Sequence, residues 1–149
     1  MSDANDSPSR PASAPRVPSS EPNADFLRSV RDGTRPSLSH DDHLRLGWLV
    51  LQSETLLAAI ATLRRDLSAF AKAKKQGAIY NETITWVFAA LINERIQAGR
   101  GGDDWQAFLE LNADLRRGMT VVQERYAPGT LNSALARATF VLPDRPPEL

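Results

Sequence analysis

The sequence predicts an all-α fold, a compact single-domain bundle of about five to eight helices preceded by a disordered N-terminal tail. Three observations carry that prediction. Apolar residues recur at spacings of three and four almost throughout residues 23–144, and no stretch alternates with period two for long enough to make a strand. Gly, Pro and capping residues punctuate the pattern at intervals suited to short helices.

Residues 1–22 mix Ser, Ala and Arg with Pro8, Pro11, Pro15, Pro18 and Pro22. That is too little apolar surface to offset the entropy of ordering the chain, so this stretch reads as the disordered tail. Asn23 is placed to cap a short helix carrying Phe26, Leu27 and Val30, stopped by Gly33 and Pro36. Ser39 followed by Asp42 forms a capping-box pattern, opening a helix that presents His40, His43, Leu44, Gly47, Val50 and Leu51 along one side. A third helix from about Ser53 shows Leu56, Ile60, Leu63, Leu67 and Phe70 as a buried stripe and ends by Gly77; its Arg64, Arg65, Lys72 and Lys75 read as a solvated face. The fourth runs from Asn81 to Ala98 with Ile84, Val87, Phe88, Leu91 and Ile96 inward, until Gly99, Gly101 and Gly102 break it. Asp103 then caps a helix bearing Trp105, Phe108 and Leu109, and short pieces follow near Leu115 and Val122 to Tyr126. Thr130 opens a last helix with Leu131, Leu135 and Ala138, and residues 145–149 form a short C-terminal tail.

Composition narrows the function classes. The chain has 149 residues, 18 basic against 18 acidic groups, and no cysteine. Disulfide frameworks, thiolate zinc sites and cysteine nucleophiles are thereby excluded. A balanced charge gives no bulk pull toward phosphates, so no nucleic-acid partner is expected. The glycines at 99, 101 and 102 follow no strand and precede no Lys-Ser or Lys-Thr pair, so they are not a phosphate cradle. No apolar window reaches the roughly 20 residues of a spanning helix, and no leader pattern opens the chain. A soluble, cytoplasmic protein without a membrane partner is expected.

One polar cluster stands out. The only histidines, His40 and His43, lie one helical turn apart and can aim at a common point. Two imidazoles at that spacing share a divalent metal only with a further ligand, and Glu82 is the natural third, with Glu94 as second choice. The expected pocket comprises His40, His43, Asn81, Glu82 and Glu94, binding a divalent metal through His40, His43 and Glu82 or else a small polar ligand, with Glu82 as general base. The same residues have structural explanations. Histidines at a helix start are often hydrogen-bonded to the turn, Asn81 is a favoured cap, Glu82 suits the helix dipole, and Glu94 beside Arg95 reads as an ion pair. A non-enzymatic interaction protein is therefore the alternative, with the cluster holding two helices together and the tail, Trp48, Trp86 or Trp105 making contact with a protein partner.

Four stretches in series, Ser39-His40-Asp41-Asp42-His43-Leu44, Tyr80-Asn81-Glu82-Thr83-Ile84-Thr85, Asn93-Glu94-Arg95 and Phe140-Val141-Leu142-Pro143-Asp144, carry a resemblance. Over residues 25–144 the chain resembles a family of small uncharacterised bacterial all-helical proteins with His-x-x-His-Leu, Tyr-His-Glu-Thr, His-Glu-Arg and Phe-Val-Leu-Pro-Asp motifs. The resemblance implies a helical fold and a polar pocket shared by the second and fourth helices. Asn81 and Asn93 replace the family's usual histidines here, and an asparagine carbonyl is a poor ligand for a transition metal beside imidazole.

Overall fold

A computed structural model of the chain describes residues 21–146; residues 1–20 of the expected N-terminal tail and 147–149 of the expected C-terminal tail lie outside the described residues. Among these residues the regular structure is helical and no strand is present. The helices are α1 (Asn23–Arg31), α2 (His40–Leu51), α3 (Leu56–Ala73), α4 (Glu82–Arg95), α5 (Trp105–Leu111), α6 (Thr120–Gln123) and α7 (Ala134–Ala138), joined in part by 3-10 turns at Gly77–Ile79 and Ala113–Arg117.

The start of α2 follows the capping box read from the sequence. Ser39 Oγ accepts the Asp42 amide at 3.1 Å and the Asp42 carboxylate accepts the Ser39 amide at 3.0 Å. Elsewhere the boundaries shift by one to three residues. Helix α3 begins after Thr55, which caps it, rather than near Ser53, and α5 and α7 begin after Asp104 and Ser133, whose side chains accept the capping amides in place of Asp103 and Thr130. Asn23 does not cap α1, because its Oδ1 is drawn to the Arg45 guanidinium at 2.9 Å. Helix α4 leaves α geometry after Arg95, passing into a wide turn over Ile96–Arg100 with Gly99 at φ 82°.

The centre of the molecule is α4, packed against α2, α3 and α7. Gly47 on α2 permits the close approach to α4, since a Cβ there would lie 2.7 Å from Ile92 Cδ1. Helices α3 and α4 run antiparallel, Arg64 meeting Glu82 while Leu56 and Leu57 lie near Leu91 and Glu94. Phe26, Leu44, Leu46, Ile92, Phe108 and Leu115 are fully buried in one continuous core. Replacing either phenylalanine by alanine is worth about 3–5 kcal/mol of stability.

Two features tie the periphery to that core. Phe26 on α1 lies under the guanidiniums of Arg35 and Arg45, at 4.6 and 4.7 Å from the ring centroid. Arg35 also pairs with Glu21 at 2.7 Å and Arg45 donates to the Glu21 carbonyl, so Glu21, placed in the tail by composition, is tied to the helical domain. At the other side, Trp48, Trp105 and Phe108 form an aromatic group closed by the loop before α5, where Gly101 O accepts the Trp48 indole N–H at 2.8 Å. Gly102 in that loop has φ 71°, and a Cβ would lie 2.6 Å from the Phe108 amide nitrogen. Only glycine fits. Within the glycine run, Gly102 therefore serves packing and Gly99 the positive-φ turn that ends α4.

Candidate functional site

His40 and His43 take different partners. His40 Nε2 is 2.7 Å from the Leu115 carbonyl and its ring packs on Phe88, tying the start of α2 to the Ala113–Arg117 turn and to α4. His43 Nδ1 is 2.8 Å from the Ser39 carbonyl within its own first turn. Both rings use an N–H to satisfy a backbone oxygen. The His43 ring reaches solvent, yet the protein mass behind it disfavours its cation and holds its pKa below the ordinary value; the Ser39 carbonyl opposes this and His40 adds to it.

Glu82 faces α3. It is 5% exposed, and its Oε1 accepts the Trp86 indole N–H at 2.9 Å while Oε2 accepts the Tyr80 hydroxyl at 2.8 Å. Arg64 adds an ion pair at 3.3 Å, so this arginine is a partner of the cluster as well as a surface cation. Tyr80 is pushed up to about 12 by burial, opposed by the Thr85 hydroxyl and reinforced by the Glu82 carboxylate. Both carboxylate oxygens of Glu82 thus hold neighbouring side chains.

Asn81 and Thr83 flank Glu82 and reach in another direction. Asn81 Oδ1 caps α4 at the Ile84 amide, and Nδ2 donates to the Leu131 carbonyl at 2.7 Å. Thr83, fully buried, has its hydroxyl 2.8 Å from the Ala136 carbonyl and 2.9 Å from that of Thr139, and accepts the Val141 amide at 3.1 Å. Asn81 and Thr83 therefore clasp the C-terminal segment. Thr83 was not among the residues singled out from the sequence, because its partners lie 53 to 58 positions away.

Glu94 lies on the far end of α4, about 18 Å along the axis from Glu82 at 1.5 Å per residue. It does not pair with Arg95. That guanidinium makes two 2.8 Å bonds to Asp114, which hold the Asp114 carboxyl below the usual carboxylate range. Among the described residues no three His, Asp or Glu side chains gather into a group able to hold a metal ion.

Glu94 instead borders an apolar cleft of about 540 Å³. Its walls are Leu56, Leu57 and Ile60 of α3, Trp86, Val87, Ala90 and Leu91 of α4, and Phe140 and Pro143 of the C-terminal segment, with Arg125 at the edge. Trp86 stacks on Phe140 with centroids 4.8 Å apart and planes 13° from parallel. Of the three tryptophans, Trp48 and Trp105 are buried at 3% and 7% exposure, so only Trp86 reaches this surface. The sequence signal for the cleft is Leu57, an apolar residue outside the buried stripe of α3 and 76% exposed.

No protein-family model, curated protein or solved structure matches the chain. No helix among the described residues is long and apolar enough to cross a membrane.

Proposed function

We propose that the protein is a non-enzymatic interaction domain whose working surface is the apolar cleft between α3, α4 and the C-terminal segment. One observation carries this reading: the polar atoms of Asn81, Glu82 and Thr83 are turned onto internal partners, whereas the cleft presents apolar side chains that no other described residue covers. Its volume and lining suit apolar side chains or a ligand of similar character. Glu82 supports this surface indirectly by holding the Trp86 indole, one wall of the cleft, in place. The alternative of a divalent metal on His40, His43 and Glu82 has less support, because the three side chains close onto the Leu115 carbonyl, the Ser39 carbonyl and the α3–α4 junction.

An apolar fluorescent dye tests the reading. In dilute solution the parent chain binds one equivalent and the dye quenches Trp86. Ala90→Arg, at an exposed position of the cleft wall, removes binding and leaves the helical circular dichroism intact. Equal dye binding by parent and variant overturns the reading.

A further inference from the structure

We infer that the partner of the cleft is a second copy of this chain, so that the α3–α4 face is a two-fold interface. This rests on the cleft being a protein-contact surface, and it names the occupant. Three observations lead to it. The cleft wall includes Leu57 at 76% exposure, one of the five large apolar side chains the described fold leaves bare. The same cleft carries one acid and one base that do not pair with each other. Among the described residues Glu94 makes no hydrogen bond or ion pair, although its charge acts on the neighbouring Arg95, and Arg125 donates to the Val121 carbonyl without an ion-pair partner. A patch with one charge of each sign is complementary to itself under a two-fold rotation, which brings Glu94 of each copy to Arg125 of the other.

The helix geometry fits the same arrangement. Antiparallel α3 and α4 laid on a second antiparallel pair make a four-helix seam, with Leu57 and Ala61 of α3 and Ala90 of α4 as its exposed apolar positions. The chain carries zero formal net charge, so no general repulsion opposes self-association. A partner of a single charge sign would match only one of Glu94 and Arg125. A second copy matches both.

Sedimentation equilibrium of the full chain from submicromolar to submillimolar concentration tests the inference. The parent shows a reversible monomer–dimer equilibrium, and raising the chain concentration displaces the apolar dye. Leu57→Glu, at a side chain that contributes little to the monomer's core, gives a monomer with unchanged melting temperature. Glu94→Arg and Arg125→Glu each weaken dimerisation about tenfold, and the double swap restores it. A parent that stays monomeric at every concentration overturns the inference, as does a dimer indifferent to Leu57→Glu and both charge reversals. Either result leaves the cleft reading standing if Ala90→Arg still abolishes dye binding, so the two failures are distinguishable.

Discussion

Glu82 is a buried carboxylate whose two oxygens hold an indole, a phenol and a guanidinium. Deleting such an acceptor strands its buried donors, so Glu82→Ala is expected to lower the unfolding free energy by about 3 kcal/mol in urea titrations. Glu82→Gln keeps an acceptor oxygen and is expected to cost less. A general base standing free in a pocket predicts the reverse, loss of chemistry with stability unchanged. Tyr80 gives a second prediction at this scale. Its folded pKa is pushed up to about 12 from 10.0, so between those values the folded chain retains a proton the unfolded chain has released. The corresponding stability is complete below pH 10 and is lost as pH rises toward 12. The difference in unfolding free energy between parent and Tyr80→Phe should therefore shrink across that window, and a difference constant with pH contradicts the assignment.

At the scale of elements, local chemistry was legible and distant pairing was not. Ser39 with Asp42 reads as a capping box because both partners lie within one turn, and Asn81 reads as a cap for the same reason. The buried stripe of α3 follows from its spacing, with Ile60, Leu63 and Phe70 all buried. Where capping residues stand side by side, as with Asp103 and Asp104, spacing alone chose the wrong one. The site was only half legible. The motif residues around Glu82 are all hydrogen-bonded, but Asn81 and Thr83 reach Leu131, Thr139 and Val141, and no local pattern assigns those partners. The C-terminal segment accordingly gives the test for this scale. Thr83→Val leaves the Val141 amide without its acceptor, and is expected to cost about 2 kcal/mol and to speed hydrogen exchange at that amide well above exchange in the middle of α4. Equal protection in parent and variant would show that Thr83 does not hold the segment.

Across the whole molecule, the polar and apolar features divide the work. His40 joins α2 to the Ala113–Arg117 turn, Arg95 joins α4 to Asp114, and Asn81 and Thr83 join α4 to the C-terminal segment. These ties set the shape of one rim of the bundle, where Trp86 and Phe140 stack into a wall and α3 supplies the other side. The histidine and glutamate cluster is on this account part of the scaffold, and the contact surface is apolar. Dye affinity measured side by side on the parent, on Ala90→Arg and on the His40→Ala/His43→Ala double variant, with and without zinc, tests that division most directly. Binding lost in Ala90→Arg, kept in the folded double variant and indifferent to zinc is the predicted result. Binding that survives Ala90→Arg but requires zinc and both histidines would contradict it.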